Sequence, residues 1–114
     1  VAMEDYIADN PEIVARFAAR FRAEEWPGKR LPAVFYDPRA LAVSSDKRAV
    51  LHAKCVVIDR QRALVTSANL TEAAQYRNVE AGVLVDDADF AGVLESQFNG
   101  LSACGVFRKV PKLG

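Results

Sequence analysis

The only histidine of this sequence, His52, is followed two residues later by Lys54, and the same spacing recurs at Ser67 and Asn69. Residues two apart in an extended strand face the same way. His52 and Lys54 are therefore expected to project together, and so are Ser67 and Asn69. Such a group suits phosphoryl chemistry. An imidazole can attack phosphorus, and an ammonium can hold the non-bridging oxygens while charge redistributes. A hydroxyl and a carboxamide can donate neutral hydrogen bonds to the same oxygens. Glu80 is positioned to accept from the second ring nitrogen of His52, which would fix the tautomer and leave Nε2 free to attack. Asp59 is expected to secure a turn, its side chain accepting backbone N–H groups.

The surrounding pattern predicts the elements that would carry these residues. Apolar runs at 49–58 and 63–69, separated by Asp59, Arg60, Gln61 and Arg62, read as a β-hairpin that lacks the usual turn glycine. Residues 79–85 read as a further, largely apolar strand. Thr71 to Ala74 opens a short helical turn. A helix over 11–26, with Asn10 as its cap and Pro11 in its first turn, presents Ile13, Val14, Phe17 and Phe21 at helical spacing. A second helix over 87–101 uses Phe90, Val93, Leu94, Phe98 and Leu101. Short strands are expected at 31–36 and 106–110, and a loop at 37–48. The fold class implied is α/β, with α+β as the alternative, around a mixed sheet flanked by helices.

Composition bounds the function. Fifteen basic and fifteen acidic residues balance to zero net charge across 114 residues, so no global field points to a nucleic-acid partner. Arg60, Arg62 and Arg77 leave two readings open, as solvated turn residues or as a local surface that steers a polyanion. Cys55 and Cys104 have no metal-ligand spacing, and a reduced, cytoplasmic setting is expected, with no metal or cofactor. The run Asp86, Asp87, Asp89 reads as a strand end and a helix N-terminus, where the dipole favours negative charge. Trp26 is expected to pack against a helix end. No apolar stretch is long enough for a membrane span.

His52, Lys54 and Asp59 match the H-x-K-x₄-D signature, and the chain resembles the phospholipase D superfamily on that ground. Thr66 to Asn69 fall where that family has Gly-Ser-x-Asn, and Glu80 falls where it carries a histidine-orienting glutamate. The likeness runs over residues 50–86 and, more loosely, through 101. The stretches Leu51–Asp59 and Thr66–Ala74 are most similar to the phospholipase D-like proteins of bacterial DISARM anti-phage systems.

The resemblance implies a phosphodiesterase, nuclease-like and acting on DNA, with His52, Lys54, Glu80 and Asp59 as its catalytic residues and Lys54, Ser67 and Asn69 on the substrate. It also implies a second half-site, which a chain with one histidine must take from a homodimer mate or from a further N-terminal lobe. Residues 1–114 are accordingly expected to be a single domain, the C-terminal portion of a longer protein, with an apolar sheet edge exposed where a partner would pair. The rival expectation is a catalytically silent DNA-binding or assembly module that keeps the pocket. Thr66 departs from the family's glycine and adds a Cβ where backbone would approach the ligand.

Overall fold

The computed structural model describes residues 11–41 and 49–114. The Asn10 cap and the loop at 42–48 lie outside the described residues. The chain divides into two compact units, one made of residues up to Leu51 with Leu101–Gly114, the other of His52–Gly100.

In the first unit, α1 (Pro11–Arg20) continues through a wider final turn, Phe21–Glu25. The Trp26 N–H closes that turn on the Phe21 carbonyl at 3.0 Å. Val14 and Ala18 are the buried positions of α1, whereas Ile13 and Phe17 stay partly exposed. Trp26 packs on the helix end as expected, its ring 5.8 Å from that of Phe21, and its Nε1 donates to the Arg30 carbonyl. Strand β1 (Phe35–Tyr36) pairs antiparallel with β5 (Arg108–Lys109), and Val110 and Leu113 complete a small core with Val14 and Ala18.

Asp37, buried just after β1, takes hydrogen bonds from the Arg39 backbone N–H and guanidinium on both carboxylate oxygens. Burial alone would raise its pKa, but the Arg39 bonds and charge together hold it below the usual carboxylate value. The tight turn that follows, Pro38–Leu41, is organised around this pair.

The second unit holds β2 (Cys55–Ile58), β3 (Arg62–Thr66), α2 (Glu72–Tyr76), β4 (Gly82–Asp86) and most of α3 (Ala88–Ala103). The sheet order is β2-β3-β4. Both pairings are antiparallel, as is β1 with β5, so the expected mixed sheet is not what forms among the described residues. Only three residues join β2 to β3, which permits a hairpin and nothing else. Between β3 and β4 the chain returns through loop and the five-residue α2, and Thr66 pairs with Gly82 where it re-enters the sheet.

Strand β2 is also shorter than the 49–58 run. A strand persists only while it has a partner, and β3 ends at Thr66, where the Ala68 N–H turns back onto Thr66 Oγ1. One rung survives beyond β2, from the Thr66 N–H to the Lys54 carbonyl at 3.0 Å. The Asp87 carboxylate accepts the Phe90 N–H at 2.9 Å and so caps α3, in line with the helix-terminus reading of the acidic run.

One sheet face carries Cys55, Val57, Ala63, Val65 and Val85, with Ala63 fully buried. The opposite face presents Val56, Ile58, Leu64 and Leu84, all at least one-third exposed. Exposed apolar residues stand on both edge strands, Val56 and Ile58 on β2 and Val83 and Leu84 on β4.

The hairpin turn has Asp59 and Arg60 both in the left-handed region, φ 51° and 56°, with the Gln61 N–H on the Ile58 carbonyl. This is the type I′ combination, for which glycine is the favoured second residue. An arginine there carries about 1–2 kcal/mol of conformational cost. Its exposed ion pair with Glu95 offsets about 0.5 kcal/mol of that. Arg60→Gly is therefore expected to stabilise the chain by about 0.5 kcal/mol, raising Tm by roughly 2–4 °C in thermal unfolding.

Candidate active site

His52 sits exposed in the extended segment that leads into β2, two residues before Lys54. Lys54 Nζ lies 3.0 Å from His52 Nδ1 and 3.1 Å from Nε2. The two nitrogens flank one ring carbon, so near-equal distances place the ammonium off either lone-pair axis, against the ring. The pair expected to share a side is therefore in contact, although no strand holds His52. Its backbone is less constrained than that of Lys54, whose carbonyl is tied to Thr66.

The β3 exit and the β4 entrance are joined by a denser set of bonds. The Ser67 N–H donates to the Ala81 carbonyl and the Ala81 N–H to Ser67 Oγ. Thr66 Oγ1 donates to the same Ala81 carbonyl. Ser67 Oγ in turn donates to Glu80 Oε2 at 2.5 Å, and Asn78 Nδ2 donates to Glu80 Oε1 at 3.2 Å. Hydrogen bonds from Ser67 first and Asn78 second keep the Glu80 carboxyl below the usual glutamate value. Slight desolvation opposes them, and the Lys54 charge adds a smaller push in their direction.

Both Glu80 oxygens are thus engaged by Ser67 and Asn78, and the imidazole is faced by Lys54. The direct His52–Glu80 hydrogen bond expected from the sequence is not the arrangement seen. A hydroxyl has one proton, so Ser67 must leave Glu80 before it can donate to a phosphoryl oxygen.

His52, Lys54 and Ser67 line one cavity of about 340 Å³, walled by Cys55, Leu94 and Phe98. Lys54 also borders a neighbouring cavity of about 310 Å³, where Asn69 lies with Thr66 and Leu70. The structure therefore gathers three of the four expected groups, with Lys54 linking them to Asn69. Asp59 lies in the turn at the far end of β2, roughly 17 Å along the strand from Lys54. Its backbone sets the hairpin, and among the described residues its side chain makes no hydrogen bond.

At the far, turn end of the sheet Arg60 pairs with Glu95 and Arg62 with Asp86. The exposed Arg77 side chain has no acidic partner among the described residues. No set of three or more His, Cys, Asp or Glu side chains there could hold a metal ion. Among the described residues no helix is long and apolar enough to cross a membrane.

Sequence reasoning missed Asn78 and the helix residues Leu94 and Phe98 as parts of this site. Asn78 had a signal: it stands two residues before Glu80, so extended chain puts both side chains on one side. Leu94 and Phe98 look like ordinary core positions, and only the packing of α3 identifies them as cavity wall.

Residues 28–102 match the family model described as "Cardiolipin synthase, PLD-like domain". No curated protein matches the chain, and no solved structure does. The matched residues include the whole second unit, and with it every candidate site residue.

Proposed function

The chain belongs to the PLD-like family of the phospholipase D superfamily of phosphodiesterases, and from that premise we propose a metal-independent phosphodiesterase, nuclease-like and acting on DNA in bacterial anti-phage defence. The observation that carries the reading is the His52–Lys54 contact at the mouth of a cavity shared with Ser67. The likeness of Leu51–Asp59 and Thr66–Ala74 to DISARM proteins supports the narrower assignment.

In the proposed mechanism His52 Nε2 attacks phosphorus. The P–O bond to the leaving group breaks, and a phosphohistidine forms. A second histidine, from another copy of this chain or from a further lobe, protonates the leaving oxygen. It then removes a proton from water, which attacks phosphorus and releases His52. Lys54 moves from the imidazole to the non-bridging oxygens, joined by Ser67 and Asn69, and Glu80 orients the His52 ring.

The test uses the full chain with bis(p-nitrophenyl) phosphate and single- and double-stranded DNA, with and without EDTA, followed by denaturing quench and mass spectrometry. Hydrolysis that resists EDTA and a phosphoryl adduct on His52 are expected. A requirement for divalent metal, or an adduct elsewhere, overturns the mechanism. The presence of one histidine favours a second reading, a silent DNA-binding module. DNA binding with no turnover, in an assembly that keeps His52 copies far apart, would select it.

A further inference from the structure

The Glu80 carboxylate is held on both sides, yet only one of the two donors lines the His52 cavity. Ser67 occupies Oε2 and shares that cavity. Asn78 occupies Oε1 and does not line it. We infer that Asn78 is a positioning residue of the site, whose side-chain amide fixes the rotation of the Glu80 carboxylate so that its remaining lone pairs point in one direction. The inference rests on the proposed role of Glu80 in orienting His52.

The geometry gives the reason. Rotation about the last glutamate torsion is broad and roughly two-fold. A single donor at Oε2 leaves the plane of the carboxylate free to swing. A second donor at Oε1 defines that plane. A carboxylate offers about four lone-pair sites, so two donors still leave room for an imidazole N–H. A fixed acceptor can select one tautomer and one ring orientation of His52, whereas a swinging acceptor selects neither.

Asn78 is itself well placed to act as a fixed point. Its backbone N–H donates to the Ala73 carbonyl at 2.9 Å, which ties it to α2. That helix is in turn capped by Thr71, whose Oγ1 accepts the Ala74 N–H. Chain direction does the rest: Val79 between the two residues is fully exposed, while Asn78 and Glu80 meet on the other side. The short helix between β3 and β4 thereby acquires a purpose, as the mount for the outer donor.

The experiment compares the full-length chain with Asn78→Ala and with Asn78→Asp, which keeps the shape but loses the donor. Glu80 is titrated by carboxyl ¹³C NMR, and kcat and KM are followed against pH. The Glu80 midpoint should move to higher pH in Asn78→Ala and further in Asn78→Asp. The acid limb of kcat should move up with it, and kcat should fall about tenfold, the scale of one hydrogen bond to a charged group, with KM little changed.

Unchanged Glu80 titration in both variants overturns the inference, as does a rise in KM at constant kcat, which would put Asn78 on the substrate. If the unaltered chain hydrolyses no phosphodiester, the proposed function falls. The NMR titration still decides whether Asn78 holds Glu80.

Discussion

His52→Ala is expected to lower EDTA-resistant phosphodiester turnover by roughly 10³-fold or more, because it removes the nucleophile itself. Stability should change by less than about 0.5 kcal/mol, as for other exposed substitutions. His52 is exposed, lies outside every strand, and its side chain contacts only Lys54 among the polar groups described. Neither a core contact nor a rung of the sheet is lost with it. Thermal unfolding and far-UV circular dichroism would show the fold retained beside the lost rate. A variant that folds and still turns over within about tenfold of the unaltered chain would remove His52 from the chemistry. Lys54→Ala offers the useful contrast. Loss of a charge that stabilises the reacting oxygens leaves a nucleophile in place, so a residual rate above that of His52→Ala is expected.

The candidate site was legible where it depended on residue type and short spacing. His52 beside Lys54 follows from period-two projection, which is a local rule. What local rules cannot supply is which acceptor a donor will choose. Ser67 and Glu80 were each assigned to a ligand or to the imidazole, and across the β3–β4 ladder they found each other. The sheet shows the same limit. The apolar run at 49–58 has the composition of a strand throughout, yet only Cys55–Ile58 forms one, because β3 stops offering partners at Thr66. Strand length was set by the neighbour, a non-local fact. The hairpin was legible despite its missing glycine, since apolar runs on either side over-determine a turn that Asp59 and Arg60 adopt at a cost.

Thr66 adds a Cβ where the phospholipase D motif has glycine, and the register explains how it is accommodated. It stands directly opposite Gly82 in the β3–β4 ladder. A Cβ added at Gly82 would lie 2.8 Å from Thr66 Cβ, 2.9 Å from its Oγ1 and 3.0 Å from the Val65 carbonyl oxygen. None of these is the far end of a flexible side chain, so a strand must move. Gly82→Ala is expected to destabilise the chain by about 1–3 kcal/mol, the usual cost of overpacking. The strain falls next to the Ala81 and Ser67 backbone bonds that seat Glu80, so activity should drop along with stability. Thr66→Gly alone loses the Oγ1 bonds to the Ala81 carbonyl and the Ala68 N–H, at about 1 kcal/mol. The double variant Thr66→Gly/Gly82→Ala moves the Cβ to the other strand and removes the two Thr66 contacts, leaving the one with the Val65 carbonyl oxygen. It should therefore be more stable than the sum of the single effects predicts, by about 1–2 kcal/mol in urea unfolding of all four proteins. Additivity within about 0.5 kcal/mol would show that the two positions do not share one space, and that the threonine is tolerated for some other reason.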